Sequence, residues 1–511
     1  MNRGKSSGRR PARPGARWAV LAVAFFLVAP ALVPGANAGA RVEASEGLYG
    51  AGKAGEFVPG ELVVWFAEDV GKADVDATVA RTGGEVVRRS SVTPSRVVIS
   101  VPEGGEESLL KAYRARKEVR AADKNHILRA LWVPNDTHYK LQWHFNKPDF
   151  IYAEQGWDLE RGESKVVVAI VDTGAGYEDR PVPSNEKDEV IGSSYHRAPD
   201  LAGTSFVPGY DFVHDDPHPN DQNGHGTHVA GTVAQTTNNA ADVAGLAHKC
   251  SIMPLQVLNY QGSGTSSDVA DGIDFARKNG AHVISMSLGG PDKDYILQAA
   301  CDQAQKAGVV VVAASGNDGA ASIYYPADFD SVIAVGAVDY AGELTWYSNY
   351  GPGQELVAPG GDTLADENGD GYPDGVLQMT YNQIYEPPIL PGFPEKKADV
   401  TTFTNYYLQG TSMACPHVAA LAALVIANGV TDNAEVRKVL RGSATDLGGS
   451  GYDTTYGYGL INCEAAIAGK VRETDDECGE CAQFSLAEFV FFSALFFGSY
   501  GVIYATRRRK S

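Results

Sequence analysis

Cysteine is scarce in this chain. Only Cys250, Cys301, Cys415, Cys463, Cys478 and Cys481 occur among 511 residues. Six are too few to serve as the disulfide framework of a fold this long. Positive charge is also in deficit. Lys and Arg number 43 against 63 Asp and Glu, a formal net charge of −20. That balance argues against nucleic acid as a partner held on a basic surface. Surplus carboxylates and Gly-rich loops suit calcium instead. What the chain has in quantity is small or apolar. Gly occurs 57 times and hydrophobic residues make up 44%, as in a globular α/β protein with many tight turns. The length allows two or three domains and one large core.

Two long apolar runs lie near the ends. Arg9, Arg10, Arg13 and Arg17 precede the run at 18–33, and Ala36-Asn37-Ala38 follows it. A basic start, an apolar middle and a small-x-small end are the parts of a secretory signal, so 1–38 reads as a signal peptide. The second run, 485–506, would be ~33 Å long as a helix, enough to cross a bilayer. Arg507-Arg508-Arg509-Lys510 follows, so residues 507–511 read as a basic cytoplasmic tail, with the main body outside. The protein is thus expected to be exported to the cell envelope or beyond, with the membrane as a partner of its C-terminal helix. The same run and basic cluster resemble C-terminal sorting tags of some Gram-negative bacteria, which implies removal of the helix. Cys478 and Cys481 form a C-x-x-C in the linker 471–484. Without a thioredoxin-like context it reads as a local disulfide or part of the tag.

Between the ends lie two units. After a linker at 39–55, residues 56–130 read as a small α+β domain. Strands are expected at 61–66, 85–87, 96–101 and 119–128, and helices at 73–82 and 106–116. From 131 to 470, strands and helices alternate. Continuous apolar runs at 166–171, 251–258, 282–286, 309–314 and 332–338 suit strands buried on both faces. Helices at 267–279 and 295–307 end at Gly280 and Gly308. The pattern predicts a doubly wound, mostly parallel sheet with helices on both faces.

Three short segments carry the chemistry: Asp172-Thr173-Gly174, Asn223-Gly224-His225-Gly226-Thr227-His228 and Gly410-Thr411-Ser412-Met413-Ala414. Asp, His and Ser together activate a hydroxyl that none activates alone. Asp172 ends a strand. His225 opens a helix. Ser412 lies at the start of another, expected at 413–427 with Pro416 in its first turn. A helix N-terminus there offers N–H groups to a developing oxyanion. The order Asp, His, Ser and these three motifs resemble the subtilisin-like serine peptidases, over about 340 residues.

That resemblance implies a serine endopeptidase acting on polypeptide substrates through an Asp172-His225-Ser412 triad. It assigns Asn317, in Ser315-Gly316-Asn317, as a side-chain donor to the oxyanion. It places Ser287, Leu288 and Gly289 on one substrate-pairing strand, and Gly262, Ser263 and Gly264 on the facing one. Tyr324 falls at the base of the S1 pocket, where the family often has a small residue, and would narrow it. His228 and His417 would be structural. The 56–130 unit resembles the family's inhibitory propeptide, of ferredoxin-like topology. It implies a zymogen whose own propeptide is an intramolecular inhibitor and folding aid, cut near residues 130–134. Residues 175–197 and 361–408 look like insertions on the active-site side.

Calcium is expected in three places. Asp136, Asp200 and Asn239, with the carbonyls of Thr236, Ala241 and Val243, resemble the strong site of thermitase-like members. Asp211, Asp216 and Asn220 resemble a second thermitase-like site, although His214 replaces an acidic residue there. The third follows from the residues alone. Asp366, Asn368, Asp370, Tyr372 and Asp374 take positions 1, 3, 5, 7 and 9 of an EF-hand-like loop with Gly371 at 6. Position 12 is Leu377 rather than Glu. Two rival readings remain: a narrow processing protease limited by the insertions, and a catalytically silent surface binding protein on the same fold.

Overall fold

The computed structural model describes residues 57–102, 104–126, 132–388 and 394–469. The expected signal peptide, the 39–55 linker, the C-x-x-C linker, the 485–506 helix and the basic tail lie outside the described residues, as do residues 130 and 131 of the expected cleavage region. Among the described residues, no helix is long and apolar enough to cross a membrane.

The N-terminal unit runs β1 (Phe57–Phe66), α1 (Lys72–Thr82), β2 (Glu85–Arg89), β3 (Arg96–Ser100), α2 (Glu106–Arg114) and β4 (Val119–His126). Its antiparallel sheet has the order β2-β3-β1-β4, which with this element order is the ferredoxin-like arrangement. Alternation along β1 sends Leu62, Val64 and Phe66 inward, against Val75, Val79, Leu110 and Tyr113 of the helices. Gly83 and Gly84 end α1 at φ +114° and +113°. A Cβ on Gly84 would lie 2.8 Å from the Ser100 carbonyl oxygen. β2 is longer than its apolar run because ladder hydrogen bonds to β3 carry it on to Arg88 and Arg89.

The second unit continues with α3 (Trp143–Asn146), α4 (Ala153–Trp157), β5 (Val167–Asp172), β6 (Arg180–Pro181), β7 (Ser194–Tyr195), β8 (Ser205–Phe206) and β9 (Tyr210–Asp211). Then come α5 (His225–Ala234), β10 (Ser251–Gln256), α6 (Ser266–Lys278), β11 (Val283–Met286), α7 (Tyr295–Lys306), β12 (Val310–Ala314) and β13 (Ile333–Val338). The rest is β14 (Leu356–Pro359), β15 (Val376–Tyr381), β16 (Phe403–Leu408), α8 (Thr411–Ala427), α9 (Asn433–Ser443) and α10 (Cys463–Ile467). The main sheet has the order β14-β13-β12-β11-β5-β10-β8, with β9 also on β10, and all these pairs are parallel. One face packs on α5, α8, α9 and α10, the other on α6 and α7. β5 is buried at all six positions. Each buried Val or Ile there contributes about 1.5–3 kcal/mol.

Local chemistry sets the helix ends. The Asp294 side chain accepts from the Ile296 and Leu297 N–H groups to start α7, and Thr265 caps α6. Gly280 and Gly308 follow the helices with φ of +86° and +90°.

One expectation changes. α8 begins at Thr411, so Ser412 is its second residue and Pro416 lies in the second turn, not the first. Pro416 has no N–H for the Ser412 carbonyl, and the Ser287 hydroxyl donates to that oxygen instead, at 2.7 Å. The 361–408 insertion reaches into the core. β15 is buried along its whole length, paired with β16 and packed against α5. Gln378 donates to the Ala244 carbonyl at 3.1 Å and Thr380 to the Gly224 carbonyl at 2.5 Å, while Gln378 Oε1 has no partner.

Candidate active site

The carboxyl ends of β5, β11 and β12 open onto one cleft of about 700 Å³, whose lining includes His225, Ser287, Asn317, Tyr324 and Ser412. Parallel sheets present functional groups at this edge. Asp172 ends β5 and is fully buried. Its Oδ1 lies 2.7 Å from His225 Nδ1 and also accepts from the Thr173 N–H at 2.7 Å. This bond fixes the imidazole with a proton on Nδ1 and Nε2 free. Burial works against the charged imidazole. The charge and hydrogen bond of Asp172, helped by Asp221, outweigh it and hold His225 above the usual histidine value.

Gly224 and Gly226 let this happen. Gly224 has φ +104°. A Cβ on Gly226 would lie 2.2 Å from the Gly174 carbonyl oxygen, so only glycine lets the His225 helix rest on the Asp172 turn. Asp221, which the sequence reading missed, ties the two together. It accepts from the Thr173 and Thr227 hydroxyls and from the N–H groups of Asn223, Gly224 and Thr227, at 2.6–2.9 Å. Burial pushes its pKa up, and the bonds from Gly224 and Thr227 limit the rise. Its signal was faint: a carboxylate just ahead of a helix start, as at many N-termini.

Ser412 Oγ donates to the Ser287 carbonyl at 3.2 Å. Both it and His225 line the cleft; a serine–imidazole bond of this kind often forms only with substrate bound. Asn317 Oδ1 accepts from the Thr411 N–H at 2.8 Å and the Thr411 hydroxyl at 2.9 Å. Its orientation is therefore set, with the amide Nδ2 left to donate into the cleft beside the N-terminus of α8. Ser287, Leu288, Gly289 and Gly262, Ser263, Gly264 line the same cleft. Tyr324 donates its hydroxyl to Asp318. A Cβ on Gly316 would meet its ring at 3.0 Å, and one on Gly289 would meet its Cβ at 3.5 Å. The tyrosine thus lies between Gly289 and Gly316.

His228 and His417 lie in the core. His228 Nε2 is 3.1 Å from the carbonyls of both Val376 and Tyr406, and His417 Nδ1 is 2.8 Å from the Met413 carbonyl. Burial lowers their pKa values to about 3 and about 4, so both stay neutral. Cys250, Cys301, Cys415 and Cys463 are buried free thiols. Cys478 and Cys481 lie outside the described residues.

The expected calcium regions differ from one another. Among the described residues, no three acidic, His or Cys side chains cluster as a metal centre, so any cation must rely on mixed oxygen donors. At the first region the donors fit. Asp136 and Asp200 are buried, and among the described residues neither has an ion-pair partner. Burial pushes Asp136 up to about 6 and Asp200 up to about 8. The loop 236–243 wraps them, with the Asn238 and Val243 N–H groups on the two carboxylates and Asn238, Ala240 and Asp242 at positive φ. That strained loop surrounds negative charge with no counterion of its own. Thr236, Asn239, Ala241 and Val243 are all on it.

The second region does not fit. Asp211 Oδ1 accepts from the Val213 and His214 N–H groups, and Oδ2 is 2.9 Å from His214 Nδ1. His214 Nε2 is 3.3 Å from Glu189, and Arg180 is 3.9 Å from Asp216. Hydrogen bonds to Asp211 and Glu189 raise His214 to about 10, so the imidazolium stands where the cation was expected. Asn220 Oδ1 has no partner, but one open oxygen does not make a cation site once the protein has brought its own positive charge.

Comparison with known proteins places these features in a family. Residues 163–459 match the model of the subtilase family, and residues 44–125 match that of the fervidolysin N-terminal prodomain. A thermophilic serine proteinase of Bacillus sp. (strain AK1) is 35% identical over 413 residues, covering 81% of this chain and 88% of that protein. Thermitase of Thermoactinomyces vulgaris is 36% identical over 336 residues, 66% of this chain and 99% of the relative. A solved protease from Pseudoalteromonas arctica PAMC 21717 has a TM-score of 0.55 at 30% identity, and the match covers 66% of this chain and 99% of that one. The chain belongs to the subtilase family and is a serine endopeptidase made with an N-terminal prodomain.

Proposed function

We propose that this is an exported, calcium-stabilised endopeptidase that frees itself from its prodomain and cuts peptides through an acyl-enzyme on Ser412. The observation that carries this is the 2.7 Å Asp172–His225 bond in the same cleft as Ser412 and Asn317. Ser412 Oγ attacks the scissile carbonyl carbon as its proton passes to His225 Nε2. Asp172 stabilises the imidazolium. The Ser412 N–H and Asn317 Nδ2 donate to the oxyanion. His225 then gives its proton to the leaving amine as the C–N bond breaks, and water repeats the sequence to release the acid. Ser287–Gly289 and Gly262–Gly264 flank the substrate as an extended strand.

Tyr324, held by Asp318 between Gly289 and Gly316, supports a short S1 pocket that takes small P1 side chains. Narrow selectivity also has support from the insertion. Glu395 accepts from Tyr260 at 3.3 Å and Gln261 at 3.1 Å on the approach to Gly262, and the Tyr385 N–H donates to the Asn223 carbonyl at 2.9 Å beside His225. Calcium at the first region would be held by Asp136, Asp200, Asn239 and loop carbonyls, where it would neutralise the buried carboxylates. Composition alone supports export and attachment through 485–506. A fluorophosphonate probe tests the chemistry: labelling at Ser412, lost in His225→Ala, is expected. An unlabelled, folded protein would favour the binding-protein reading.

A further inference from the structure

The insertion between β14 and β15 carries a feature that peptide hydrolysis does not use. The segment from Asp366 to Asp374 is wound by its own side chains: Gly371 N–H to Asp366 Oδ2 at 3.2 Å, Asp370 N–H to Asn368 Oδ1 at 2.8 Å, and Tyr372 N–H to Asp370 Oδ1 at 2.9 Å. Such bonds shape a turn but do not name a ligand. Asp374 does. It is 1% exposed. Its Oδ2 points into the loop and accepts from the Glu367 N–H, while its Oδ1 has no hydrogen-bond partner. A buried carboxylate oxygen without a donor is costly unless a cation meets it. The charges of Asp366 and Asp370 bear on the same carboxylate. Lys147 is near, yet its ammonium donates to the Tyr340 carbonyl.

The place of the loop matters as much as its donors. Thr363, at its entrance, donates through both N–H and hydroxyl to Gln409 Oε1, each at 2.7 Å. Asp362 N–H donates to the Asp374 carbonyl at 3.0 Å, and Gly410 N–H to the Gly360 carbonyl at 3.1 Å. Gln409 and Gly410 lead straight into Thr411 and Ser412.

We propose that this loop is a calcium site that braces the chain entering Ser412. Side-chain oxygens of Asp366, Asn368, Asp370 and Asp374 and the Tyr372 carbonyl would supply the ligands; without a cation the three carboxylates do not converge as a ready-made centre, so binding has to draw them together. Water takes the place of the missing twelfth-position carboxylate, because Leu377 is buried in β15. A hard cation with six to eight oxygen ligands suits this mixed set. Cation binding here is independent of the catalytic reading; only the brace on Ser412 rests on it.

The test uses the full chain carrying Ser412→Ala, so that self-digestion does not interfere. Calcium stoichiometry is measured by calorimetry, and terbium luminescence is excited through tyrosine. Tyr372 is in the loop and stacks on Tyr407 at 6.1 Å, so a lanthanide bound here should emit. The exposed pair Asp366→Asn/Asp370→Asn should take up one calcium fewer than its parent and lose this emission, with an unchanged circular dichroism spectrum. Asp374→Asn, close in shape, should do the same. Asp200→Asn should remove a different equivalent and leave the emission, which separates this site from the first region. Equal stoichiometry and emission in parent and double variant overturn the site. With Ser412 restored, the double variant should react with fluorophosphonate about tenfold more slowly; an unchanged rate overturns the brace.

Discussion

The catalytic frame and the acidic loops treat buried charge in opposite ways. Around His225 every charge has a partner within the chain. Asp172 faces the imidazole, and Asp221 gathers five donors from two segments. Around Asp136 and Asp200, buried carboxylates face one another with backbone N–H groups but no cation. The Asp211 region lies between these extremes, because His214 and Arg180 bring the positive charge themselves. The lesson is that residue type says little about a carboxylate's role until its counterion is identified. A frame whose charges pair within the chain suits catalysis, even with Asp172 Oδ2 left without a hydrogen-bond donor. An unsatisfied one needs something from solution.

Breaking the frame should have the largest effect. Asp172→Asn leaves His225 without its anion and should lower kcat about 10⁴-fold. Asn317→Ala removes one oxyanion donor and should lower kcat about 10²–10³-fold with little change in KM. Both are read from steady-state kinetics on a peptide anilide. Asp221 should show itself in the pH profile. His225 acts as base only when neutral, so kcat/KM should fall as pH drops through a value above 6.5. Asp221→Asn removes a charge that favours the imidazolium, so this acid limb should move to lower pH. A limb that stays in place would make Asp221 a purely structural support.

The triad and the parallel sheet were legible in sequence because each depends on local pattern. Continuous apolar runs mark buried parallel strands, and Gly224, Gly226 and Gly410 flank the catalytic residues where only glycine fits. The bond from Thr173 to Asp221 and the grip of Ser287 on the Ser412 carbonyl were not legible, since both are contacts between distant segments. The Pro416 position gives a partial clue: a proline four residues after Ser412 frees a carbonyl that some other donor must take. β15 was not legible as a buried strand because its alternating polar residues, Gln378 and Thr380, find partners only in the tertiary fold. The second calcium region failed for the same reason, since Glu189 comes from a different loop.

Smaller effects test the specificity and the loops. Tyr324→Gly should raise kcat/KM for a Phe P1 substrate about tenfold or more relative to Ala; a wild type that already prefers Phe would contradict the short pocket. Chelation should lower the thermal midpoint by about 5–10 °C, assuming calcium near 100 times its Kd. In the chelated protein Asp136 and Asp200 have folded pKa values above the usual 3.8. Stability should therefore fall as pH rises from 4 through about 8, and added calcium should help more at pH 8 than at pH 5. His214→Gln leaves Asp211 and Glu189 without their imidazolium. It should lower the midpoint by a few degrees at pH 7, where the wild-type imidazole is charged.

The most direct measurement is the intact mass of the wild-type protein beside Ser412→Ala, both made without the signal peptide and the 485–506 segment. The wild type alone should lose its N-terminal prodomain by cleavage near residues 130–134, while Ser412→Ala stays whole. Equal, uncut masses for both would contradict a self-processing peptidase built on Ser412.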